Sequence, residues 1–98
     1  MDKGGWTYIL TNRHHTVLYV GVTSDIRQRI YDHQHGTYTK SFTSKYKSWK
    51  LVYYIFFDSI EEAIDEEKRI KGGSRQKKIN LINKMNLQWR DLTADIQV

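Results

Sequence analysis

Ninety-eight residues, 39% of them hydrophobic and 13% aromatic, suit one globular domain over 1–98, with 1–4 and 93–98 expected as loose termini. The chain has no cysteine, which excludes disulfides, thiolate nucleophiles and thiolate zinc sites, and its longest apolar runs fall far short of the roughly 20 residues that span a bilayer. A net charge of +5 favours a polyanionic partner, and the expectation is a cytoplasmic protein, monomeric by default, with no membrane association.

Trp6–Thr11 and Val17–Val22 are rich in β-branched and aromatic residues and read as two strands of a hairpin. If Arg13 and His14 form a two-residue loop, Tyr8 lies directly opposite Tyr19, and both phenols point to one face of the sheet. Thr23 or Ser24 can cap a following helix, with Asp25 in its first turn, running to about His35 and ending at Gly36. Ile26, Arg29, Ile30 and His33 share one stripe of that helix. The two isoleucines turn the stripe toward the core and place Arg29 and His33 at its edge or under a cleft.

Gly36–Lys50 is basic and contains no acid, with Lys40, Lys45 and Lys47 interleaved with Tyr38, Phe42, Tyr46 and Trp49. Ammonium groups for phosphates and rings for bases make this a nucleic-acid surface, or else a solvated loop whose aromatics anchor it to the core. Leu51–Phe57 is a near-continuous apolar run of strand length, expected to be the central strand and covered on both faces. Ser59 then caps a second helix, with Glu62 in capping-box position and an apolar stripe of Ile60, Ala63, Ile64 and Ile70. Glu67 sits on that stripe, where an apolar side chain would be ordinary; its simpler role is a pair with Lys71. Gly72-Gly73-Ser74 stops the helix, Arg75–Met85 resumes helical periodicity, and Trp89 docks within a polar tail. The order is β-β-α-β-α-α, an α/β chain of the α+β type.

Phosphodiester hydrolysis needs a group that deprotonates or orients water, positive charge for the charge developing on phosphorus, and a cation for the leaving oxygen. Two tyrosines on one sheet face, Arg29 and His33 on one helix stripe, and the lone Glu67 could supply that set. Taken singly, each has a plain structural role, and their joint placement is what points to a site. The histidines at 14 and 15 and at 33 and 35 make no good metal pair, and the signatures of nucleotide-binding loops and serine hydrolases are missing.

At this level the chain resembles the GIY-YIG nuclease family, particularly its small stand-alone bacterial members, over roughly Trp6 to Leu92. Trp6-Thr7-Tyr8 stands for the first tripeptide and Tyr19-Val20-Gly21 for the second. Asp25 to Arg29 with His33 resembles the family's first helix, Glu62 to Lys68 its glutamate segment, and Met85-Asn86 with Trp89 to Leu92 its ending. Trp6 and Thr7 replace the first motif's glycine and isoleucine.

The resemblance implies a three-stranded antiparallel sheet flanked by helices, and endonuclease activity. Tyr8 would be the base or water-orienting phenol, Tyr19 would support it, and Arg29 would stabilise the pentavalent phosphate. His33 would handle protons or bind phosphate, and Glu67 would hold one Mg²⁺ or Mn²⁺. Asn86 is a further candidate, with Asn83 as its rival. Arg27, Lys40, Lys45, Tyr46 and Lys47 would contact nucleic acid, with DNA the expected substrate. Two alternatives stand beside this reading: a nucleic-acid-binding module of the same fold without turnover, and a protein-interaction domain.

Overall fold

A computed structural model describes residues 4–34 and 49–96. Three strands, β1 (Gly5–Thr11), β2 (Leu18–Thr23) and β3 (Lys50–Phe57), form one antiparallel sheet in the order β2-β1-β3. The helices are α1 (Ile26–Gln34), α2 (Ile60–Lys71), α3 (Arg75–Met85) and a short α4 (Thr93–Ile96). The expected fold class and order hold, with α4 added.

Successive strand residues point to opposite faces, and this alternation divides the core in two. On one face Tyr8, Leu10 and Leu51 pack with Ile26 and Ile30 of α1 and with Trp49, Leu92 and Ile96. On the other, Ile9, Val20, Val52 and Tyr53 pack with Ile70 of α2 and Ile82 of α3. Val52 and Tyr53 share a face because the β1–β3 register shifts between Ile9 and Leu10: Ile9 pairs with Tyr53 and Leu10 with Leu51.

Four sequence expectations are corrected. Strand β3 is an edge strand and β1 the central one; β3's apolar run reflects helix layers on both faces, a cover that a three-stranded sheet gives its edges too. The hairpin loop is Asn12–Val17, not two residues, because the Asn12 Oδ1 accepts from the backbone N–H of Thr16 at 2.8 Å and of Val17 at 3.0 Å. His15 completes this loop with a φ of 58°. The first helix is capped by Asp25, whose Oδ1 accepts from the Gln28 N–H at 3.2 Å, while Thr23 braces the preceding turn by accepting from the Asp25 N–H. The tail read as loose from residue 93 is docked as far as Ile96: the Leu92 N–H donates to Leu51 O at 2.7 Å, and Thr93 and Ile96 are buried.

Helix α2 behaves as its sequence requires. Ser59 Oγ accepts from the Glu62 N–H at 3.2 Å, Ala63 and Ile70 face the sheet, and Thr7 Oγ1 on β1 donates to the Ala63 carbonyl at 2.7 Å. Among the described residues no helix is long and apolar enough to cross a membrane.

Candidate active site

The lengthened loop changes the pairing of the two strand tyrosines. Tyr8 faces Gly21 and Tyr19 faces Leu10, a shift of two residues from the expected register. An even shift keeps both phenols on the α1 face, now as diagonal rather than direct neighbours. Gly21 is the residue the shift makes important. A Cβ at this position would clash with the Tyr8 hydroxyl and the ring carbon that bears it, so glycine lets the phenol lie against β2. A glycine inside a β-branched strand was the available signal for this close approach.

Tyr8 is fully buried, and its hydroxyl lies 3.2 Å from His33 Nε2. His33, in the last turn of α1, is 6% exposed and presents its edge to both tyrosines, with ring centroids 6.1 Å from Tyr8 and 5.5 Å from Tyr19. Burial pushes its pKa down to about 4, the Arg29 guanidinium one turn earlier pushes the same way, and Asp32 opposes them. The imidazole is therefore neutral near pH 7. In the tautomer with a bare Nε2, the Tyr8 hydroxyl donates to it. Tyr19 is half-buried and also meets Trp49, at 6.5 Å between centroids. Trp49, read as part of the basic aromatic loop, is 4% exposed and walls this cluster instead of offering a ring to solvent.

Tyr8, Tyr19, Arg29 and His33 are thus brought together. Glu67 reaches the sheet from the other side: α2 packs on the face of Thr7, and the Glu67 carboxylate accepts from Lys71 Nζ at 3.1 Å. On α2, Glu66 and Glu67 flank the Ala63–Ile70 line on opposite sides. Glu66 is turned toward β3, where its charge helps to raise the Tyr53 pKa, after burial. Glu67 is accordingly turned toward the edge strand β2, with a side chain 15% exposed.

Asn86 and Asn83 are committed to the fold. The buried Asn86 amide donates to Val52 O and Arg90 O and accepts from the Arg90 N–H, while Asn83 Oδ1 accepts from Trp89 Nε1 at 2.7 Å. A polar residue closing a helix C-terminus would be expected to make such bonds. Arg27 is exposed and ties down α4 by donating from Nε to Ile96 O at 2.8 Å. Lys40, Lys45, Tyr46 and Lys47 lie outside the described residues. Among the described residues no group of three or more His, Cys, Asp or Glu could hold a metal ion.

Comparison with known proteins gives this arrangement a family. The GIY-YIG catalytic domain matches residues 4–80. A UPF0213 protein of Staphylococcus saprophyticus is 42% identical over 66 residues, covering 67% of this chain and 79% of its own length. One from Clostridium perfringens is 31% identical over 93 residues, covering 95% of this chain and 98% of its own. The solution structure of the UPF0213 protein BH0048 from Bacillus halodurans superposes with a TM-score of 0.59 at 28% identity, over 97% of this chain and 99% of that one.

Proposed function

Because the chain belongs to the GIY-YIG family, we propose that it is a metal-dependent endonuclease that hydrolyses phosphodiester bonds in DNA. The observation that carries this reading is the contact between Tyr8 and a neutral, buried His33, with Tyr19 and Arg29 beside it. A neutral imidazole can accept the Tyr8 proton in a hydrogen bond, fixing both rings, whereas an imidazolium could only donate.

The difference in burial between the two phenols supports a division of roles other than the one the family resemblance implies. Tyr8 is closed off from solvent and Tyr19 is half-buried. Tyr19 is then the phenol that meets and orients the attacking water, and Tyr8 keeps the His33 imidazole fixed beside it through the contact of its hydroxyl with Nε2. Arg29, half-buried beside them, supplies positive charge where the pentavalent phosphate gathers negative charge, and the low-polarity surroundings strengthen it.

Mg²⁺ takes one or two carboxylates and keeps several waters, so a single half-buried carboxylate fits it and Glu67 is the residue that would hold one Mg²⁺ or Mn²⁺. For such an ion to neutralise charge on the leaving oxygen, the substrate would have to wrap the β2 edge, since Glu67 and Tyr19 belong to opposite faces of the sheet. Lys71 has to give up its contact with Glu67, a modest demand for a pair whose lysine is 54% exposed. A cysteine-free chain suits the cytoplasm.

The test is cutting of supercoiled, linear, single-stranded and branched DNA with Mg²⁺ or Mn²⁺, with Glu67→Ala and Arg29→Ala as comparisons. Cutting by the parent that both variants lose supports the reading. A folded parent that binds DNA yet cuts no more than the variants leaves a nucleic-acid-binding module without turnover, the reading favoured by α2 lying on the sheet face opposite Tyr8.

A further inference from the structure

From Lys68 to Lys84 the chain holds seven basic residues and no acid. Folding gathers these at the end of α2 and along α3, on the sheet face away from Tyr8 and His33. Among the described residues two acids answer them, Glu66 with Arg69 and Glu67 with Lys71. A cavity of about 280 Å³ opens on this surface, with Ile70 and Leu81 in its lining and Arg69, Lys77, Lys78 and Lys84 around it. Lys78 Nζ donates to the Gly73 carbonyl at 2.8 Å, so it also holds the α2–α3 turn. Lys77 and Lys84 are exposed on one stripe of α3.

We propose that this surface is a second DNA-contact site, separate from the tyrosine cluster, which holds the phosphate backbone of a duplex. The spacing of the charges favours a polymer over a single phosphate. Lys77 and Lys84 are seven residues apart, about 10 Å along a helix axis, which is close to three base steps of a DNA strand. The segment from Lys68 to Lys84 contains no aromatic residue, so it offers no platform for unstacked bases. Cations without rings suit a duplex, whose bases are turned inward, and give contact without sequence preference. The inference rests on the nucleic-acid reading above but not on turnover.

The experiment is fluorescence anisotropy with a short labelled DNA duplex in chelator, over a range of salt, so that binding is read without cutting. Lys77→Gln with Lys84→Gln is expected to weaken binding on the order of tenfold at low salt and to lower the salt slope by about 2, close to one per cation. Both side chains are exposed, so the melting temperature should hold. Adding Glu61→Gln and Asp65→Asn, both exposed on α2, restores the net charge without restoring the patch, and binding should stay weak. An unchanged affinity and slope in the double variant, or recovery in the quadruple one, overturns the proposal. So does a parent that binds a single strand of the same length more tightly than the duplex. Failure of the nuclease reading would show separately, as absent cutting by a parent whose binding still depends on Lys77 and Lys84.

Discussion

The Tyr8 ring lies against the backbone of Gly21, its partner across β1 and β2, in the space a Cβ would fill. This contact makes the second tripeptide's glycine a steric requirement of the first tripeptide's tyrosine. Gly21→Ala forces the ring or the strand to shift, at a cost of about 1–3 kcal/mol. Tyr8 then loses its alignment with His33. Denaturant unfolding and cutting assays should show Gly21→Ala losing more activity than a Val52→Ala variant of matched stability, since Val52 packs in the other core.

Arg29 acts on the His33 pKa, beside the phosphate role proposed for it. Arg29→Ala should reduce cutting by about 100-fold or more, as expected when a charge facing the transition state is removed. The His33 pKa should rise from about 4 but stay below 6.5, because burial is the larger cause of its depression. Imidazole titration followed by NMR measures this directly, and an unmoved His33 would separate the two residues.

Stability should fall with acid through the same histidine. Its folded pKa of about 4 lies below the ordinary 6.5, so over that interval the unfolded chain binds a proton that the folded chain refuses. The stabilisation is complete above about pH 6.5 and is lost progressively as the pH falls to about 4, amounting to roughly 2–3 kcal/mol. His15 adds to the trend in the same direction, its pKa lowered by burial and by Lys50 and His14. Urea unfolding across this range should show the loss, and His33→Gln should flatten much of it.

Asn86 separates structural from catalytic importance. Asn86→Ala leaves Val52 O, Arg90 O and the Arg90 N–H without their side-chain partner, a loss of about 2–4 kcal/mol. Asn83→Ala gives up one bond to Trp89 and should cost about 1 kcal/mol. Well below their melting temperatures, both variants should cut like the parent; a large fall in rate with stability intact would return Asn86 to the site.

Element order was legible because each strand is a β-branched or aromatic run and each longer helix has its own stop or cap, such as Ser59 and Gly72. Register was not, because the Asn12 side chain takes two backbone donors that a turn of Arg13 and His14 would have left elsewhere. Tyr8 and Tyr19 still share a face because the error was even. The Ile26–Arg29–Ile30–His33 stripe carried Arg29 and His33 to the tyrosines, since the same isoleucines that bury the helix fix its rotation. For Glu67, the stripe argument gave burial but not which face of the sheet α2 would cover. That choice is made by Thr7 and Ala63, far apart in sequence.

Thr7 and Tyr8 are consecutive, yet one holds α2 and the other meets α1. Were β1 to slide by one position, a phenol would be driven into the layer where Ala63 leaves room for a methyl group, and a short hydroxyl would face an imidazole it could not reach. A misthreaded sheet therefore loses both attachments together. In this three-stranded sheet the native topology is separated from competing ones by a paired penalty written into two adjacent residues.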